Sequence, residues 1–270
     1  MKLRLRVCSL RMRALGSVLF PPGKAGNVLR GAFGLLLPQS AAEEWFSPRG
    51  DGTQPSGFAD SARPFVLRAG HLDGHRFSAG QEFTFAVHLF KAGDDGPRLL
   101  EETFRQAGQD GLGVGRGRAE LLGIECRDVE VNLGRTAEAT RIDVHFLTPT
   151  ELKKDGAVAG RPEFPVLFAR ARDRVSRLMA LYGSGAPELD YAGMGERAEA
   201  VRMVECTLHW EDIERRSGRT GQVHPLGGLV GRCSYEGNLG EFVPWLEAAQ
   251  WTGVGRQTVW GKGAIAVTIL

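Results

Sequence analysis

The chain has 270 residues, a formal net charge of +2, 42% hydrophobic residues and 37 glycines. That is enough sequence for two domains of ordinary size, and the composition excludes a disordered chain, a collagen and a disulfide-stapled mini-protein. Charge is uneven: residues 1–42 hold seven basic side chains (Lys2, Arg4, Arg6, Arg11, Arg13, Lys24 and Arg30) and no acid, which points to an anionic partner, nucleic acid first.

Leu3–Leu15 alternates apolar and basic residues with period two, the pattern of a half-buried strand. The same alternation denies it the unbroken apolar stretch of a secretory signal. Gly26–Leu37 reads as a helix. Residues 38–63, rich in Pro, Gly, Ser and Asp, read as a long inserted loop. Pro64–Ala69 and Glu82–Lys91 are predicted strands, Arg98–Ala107 a helix, and Leu121–Val131 a strand after Gly113–Gly117. Arg141–Leu147 opens the second half as a β-branched strand ending at the Thr148-Pro-Thr turn. In Glu163–Tyr182, Phe164, Leu167, Phe168, Ala171, Val175, Leu178 and Leu181 recur at helical spacing. Val201–Trp210 and Leu226–Tyr235 are strands, Leu239–Ala249 is a helix, and Ala264–Leu270 is a last strand.

Each half therefore runs β-α-β-β-α-β, the order of a ferredoxin-like, RRM-type domain. The expected fold is α+β, with tandem domains at 1–135 and 136–270. An internal echo agrees: Gly113-Val-Gly-Arg116 returns as Gly253-Val-Gly-Arg256.

Several constellations bear on chemistry. Gly253, Gly255, Arg256 and Lys262 lie in a glycine-rich loop before the last strand. Glycine there permits positive φ and close backbone approach, and the cations suit phosphate. Arg170, Arg174 and Arg177 fall on one stripe of the long helix, opposite its apolar side. Arg215, Arg216 and Arg219 form a second basic cluster. His88 and His145 sit inside strands as packed side chains, whereas His71 and His75 flank a turn where they can exchange protons. No metal-ligand motif or nucleophile elbow occurs, so neither a metal nor another cofactor is expected. Cys8, Cys126, Cys206 and Cys233 are widely spaced and read as free thiols of a reducing, cytoplasmic compartment, with no membrane partner.

Pro21-Pro-Gly-Lys-Ala-Gly-Asn-Val-Leu-Arg-Gly-Ala-Phe-Gly34 resembles an early element of the CRISPR repeat-RNA processing endoribonucleases of the RAMP superfamily. So do Arg63-Pro-Phe-Val-Leu-Arg68, Phe146-Leu-Thr-Pro-Thr-Glu-Leu-Lys153, Trp210-Glu-Asp-Ile-Glu-Arg-Arg-Ser-Gly-Arg219, Gly227-Gly-Leu-Val-Gly231 and the terminal glycine loop. The resemblance spans nearly the whole chain. It implies metal-independent cleavage of precursor RNA within repeats, by attack of a ribose 2′-hydroxyl on the adjacent phosphate to leave a 2′,3′-cyclic phosphate. The product guide RNA is retained, and subunits of a CRISPR effector complex are possible further partners. Many members carry a histidine base around the first helix, but residues 1–70 here contain none. Lys24 and Arg30 are the nearest candidates there, with His71 and His75 beyond. The alternative is a catalytically inactive subunit that binds the repeat hairpin.

Overall fold

The computed structural model describes residues 1–48, 62–91, 93, 95–216 and 221–270. The chain divides into two compact units, one of Leu5–Val129 with Val259–Gly261, the other of Met1–Arg4, Glu130–Thr258 and Lys262–Leu270. Each is built on a four-stranded antiparallel sheet with the ferredoxin-like strand order.

The first sheet contains β1 (Lys2–Ala14), β2 (Phe65–Arg68), β3 (Glu82–Leu89) and β4 (Ala119–Asn132), ordered β2-β3-β1-β4. Its helices are α1 (Ala25–Leu36), α2 (Gln39–Phe46) and α3 (Asp95–Asp110). Two sequence expectations change here. Residues 39–46 of the supposed loop form α2, because Trp45 and Phe46 can dock on the aromatic core. Residues 49–61 of that stretch lie outside the described residues. Phe33 of α1 is fully buried among Trp45, Phe46, Phe65 and Phe104, with ring centroids 5.2–5.9 Å away. Cys8 and Cys126 are joined as a disulfide rather than being free thiols, their Cα atoms 4.2 Å apart.

The basic start of the chain also looks different in three dimensions. Lys2 and Arg4 pair with Glu130, Arg6 with Asp128, and Arg13 with Glu82. These partners hold the Asp128 and Glu130 carboxyls below their ordinary range, chiefly through hydrogen bonds from Arg6 and from Lys2 and Arg4 respectively. The basic residues of β1 are thus partly balanced by acids of neighbouring strands.

The second sheet contains β5 (Arg141–Thr150), β6 (Arg202–Glu211), β7 (Gly228–Glu236) and β8 (Ile265–Ile269), ordered β6-β7-β5-β8. β5 runs through the Thr148-Pro-Thr segment instead of stopping before it. Its helices are α4 (Phe164–Tyr182), α5 (Tyr191–Glu199, absent from the sequence reading) and α6 (Val243–Thr252). Phe164, Phe168 and Phe242 pack edge-on or stacked beneath Tyr235, whose buried hydroxyl donates to the Pro162 carbonyl at 2.7 Å. Burial pushes the neighbouring Cys233 thiol up to about 12, so it stays protonated at neutral pH.

Truncating Phe33 empties the centre of the first core. Phe33→Ala is expected to lower the unfolding free energy by about 3–5 kcal/mol, read as a shift of the urea midpoint at unchanged slope.

Candidate nucleic-acid interface

The start of α1 is locally uncapped. Lys24 occupies the N-cap position and makes no side-chain cap bond, so an orphan N–H and a positive helix end face a basic residue. The acceptor comes from far along the chain: the Ala25 N–H donates to Asp73 Oδ1 at 2.7 Å. Asp73 follows a short 3-10 turn, Gly70–Leu72, and Gly74 adopts φ +77° against Pro22. The Phe20 N–H donates to the His75 carbonyl at 3.0 Å. Lys24 and the loop carrying His71 and His75 are therefore fastened together, as neither sequence spacing nor periodicity could reveal.

The histidine contacts assign protons. His75 Nδ1 lies 3.2 Å from the Asp73 carbonyl and His71 Nε2 lies 2.8 Å from the Thr84 carbonyl. A carbonyl can only accept, so each of these nitrogens carries hydrogen, and in neutral His75 the acceptor is Nε2. The His75 ring also stacks near Phe77. Arg30 is elsewhere: six residues along α1 puts it about 9 Å from Lys24 along the helix. Its guanidinium sits over Trp260 at 3.5 Å and over Phe46 at 4.9 Å.

Both glycine loops use the left-handed conformations expected of them. Gly113 and Gly115 have φ +69° and +84°, and Val114 donates its N–H to the Leu19 carbonyl at 3.0 Å, just ahead of α1. Gly253 and Gly255 have φ +75° and +76°; a Cβ on Gly255 would stand 2.3 Å from the Glu151 carbonyl. The close approach is thus made to the protein's own backbone. Arg256 donates to the buried Glu151 carboxylate at 2.8 Å while about half of its side chain stays exposed, and Lys262 is buried. Trp260 and Gly261 lie on Gly26 of α1, where a Cβ would meet the Trp260 carbonyl at 2.4 Å.

The arginine stripe of α4 is not an open face. Arg174 and Arg177 are each only 6% exposed, and Arg174 Nε donates at 2.7 Å to the carbonyl of Thr252 at the negative end of α6. Arg170 and Arg172 both pair with Asp173. The apolar count along the helix predicted one buried side, but α5 and α6 cover more of its circumference. Arg215 is partly desolvated, which lowers its pKa, and its strand segment Glu214–Arg216 pairs with Val223–Pro225. Arg219 lies outside the described residues, and of Arg216 only the backbone ladder is described. Asp73, which fastens the start of α1 to the histidine loop, is the residue that sequence reasoning passed over; its only signal was a position between two histidines.

The sequence profile of the CRISPR-associated endoribonuclease Cas6 family matches residues 144–265, and a family described as an N-terminal domain matches residues 3–142. No curated protein matches the chain by sequence. Among solved structures, a Cas6 product complex is similar with TM-score 0.63 at 16% identity, over 98% of this chain and 100% of the other. Thermus thermophilus Cas6 gives 0.60 at 15% identity, over 99% of both chains. A RAMP protein binding different RNA substrates gives 0.54 at 10% identity, over 98% and 99%.

Removing the distant cap should unfasten α1 from the histidine loop. Asp73→Ala is expected to cost about 1 kcal/mol of stability, and Asp73→Asn, which keeps an acceptor oxygen, distinctly less; denaturant titration of both variants measures the difference.

Proposed function

Because the chain belongs to the CRISPR repeat-processing, RAMP-type endoribonuclease family, we propose that it cleaves CRISPR precursor RNA within the repeats, needs no metal, and keeps the guide RNA it makes. The observation that carries this reading is the Asp73 bridge, which sets a cation, Lys24, beside a loop whose His75 presents an acceptor nitrogen. These are the parts that ribose-assisted cleavage uses.

In this reading His75 Nε2 takes the proton from the ribose 2′-hydroxyl as that oxygen attacks the adjacent phosphorus. The P–O2′ bond forms and the P–O5′ bond breaks. The Lys24 ammonium stabilises the charge of the phosphorane and donates a proton to the departing 5′-oxygen. The products are a 2′,3′-cyclic phosphate and a 5′-hydroxyl, and an RNA lacking that one 2′-hydroxyl has no nucleophile. Outside this centre, Arg256, Arg215 and the hairpin segment with Arg216 and Arg219 are the candidate contacts to the repeat. Arg256 has about half its side chain exposed for that role. Subunits of an effector complex are further candidate partners. Among the described residues no helix is long and apolar enough to cross a membrane, and the cytoplasm is the proposed location.

One observation favours a second reading, a silent subunit that only binds the repeat hairpin: α1 itself bears no histidine. The two separate in one experiment. A repeat RNA is incubated with the protein in EDTA, alongside the same RNA carrying a single 2′-deoxy substitution at the cut site. The endoribonuclease cleaves the first and spares the second; tight binding with neither RNA cut establishes the silent subunit instead. His75→Ala is expected to slow single-turnover cleavage by about 10²-fold or more, with repeat-RNA affinity unchanged.

A further inference from the structure

The second unit contains a groove that the proposed cleavage does not use. It is a cavity of about 470 Å³ beside β6, with Trp210, His209, Leu208, Leu229 and Arg161 in its lining. That volume falls in the range of small-ligand sites, about 300–1,000 Å³. β6 is an edge strand of its sheet, and among the described residues no strand pairs with its outer side.

Trp210 is the unusual element. It is 41% exposed, so part of its ring is open to a stacking partner. Its ring is nevertheless held in place. The indole N–H donates to Asp212 Oδ1 at 2.9 Å, and the bare Gly227 lies so close that a Cβ there would come within 3.1 Å of the indole nitrogen. Leu208 and Leu229, the latter paired with Trp210 across the β6–β7 ladder, give the groove an apolar lining. Arg161 is 65% exposed, and its nearest acid, Glu163, is 4.0 Å away, too far for a tight pair. His209 is equally exposed. A fixed aromatic ring, a short apolar lining and an exposed cation beside it match the base and the phosphate of one nucleotide. A peptide strand would need a longer apolar track than two leucines.

We infer that this groove is a subsite for one unpaired nucleotide of the bound RNA, its base stacked on Trp210 and its phosphate met by Arg161. The inference rests on the proposed RNA-processing function and adds a contact away from the reacting phosphate.

The test uses the full chain and repeat RNAs carrying 5-iodouridine at single unpaired positions, a probe that cross-links to stacked aromatic rings on irradiation. One position is expected to cross-link to the peptide containing Trp210. Trp210→Ala is expected to weaken binding of that RNA on the order of tenfold, Trp210→Phe by much less, and an RNA lacking the nucleotide should bind both variants and the parent alike. Trp210→Ala should still unfold in one cooperative urea transition, which separates a binding subsite from damage to the fold. Cleavage that proceeds normally with no Trp210 cross-link from any position, and equal affinities throughout, overturns the subsite and leaves the endoribonuclease standing. Failure of the parent protein to bind repeat RNA at all overturns both.

Discussion

A helix end with no cap of its own sets the arrangement of the first unit. The opening turn of α1 offers an unsatisfied N–H, and the residue at its N-cap is a lysine, the wrong charge for that pole. Asp73 supplies both the acceptor and the negative charge from 48 residues away. In doing so it draws the histidine loop onto the helix start, and the Phe20–His75 backbone bond closes the same junction from the other side. A local serine or aspartate at position 24 would cap α1 equally well, but it would leave nothing to hold the loop there. The displaced cap is what turns a structural requirement into a candidate site.

The arginines show a second constraint. Of the cations that the linear sequence sets aside for an anionic partner, many are already engaged within the fold. Arg4 and Arg6 pair across strands, Arg30 lies on two aromatic rings, and Arg174 meets the carbonyl end of α6. Several of these contacts are well exposed and add little stability individually. Their consequence is electrostatic: neighbouring acids and rings already share part of the positive charge that the linear sequence presents as free. A basic stripe counted on a helical wheel says nothing about which side the neighbouring helices will cover.

The glycine loops join the two themes. Their positive φ values were predicted from the glycines themselves, and the close approaches are to the backbone of Leu19, Glu151 and Val254. The loops are shaped by the protein first, and whatever RNA they touch meets a surface already set.

By itself the sequence determined the α+β class, the twofold β-α-β-β-α-β order and the left-handed glycines, because each follows from periodicity or from the conformational freedom of a single residue. It also placed Lys24, His71 and His75 among the candidates. Only the tertiary structure brought their segments together, through the Ala25–Asp73 and Phe20–His75 hydrogen bonds. It alone revealed the α2 helix, the Cys8–Cys126 bond and the burial of Arg174 and Arg177. Each of these is a pairing between distant segments, and local pattern carries no information about a partner supplied from elsewhere in the chain.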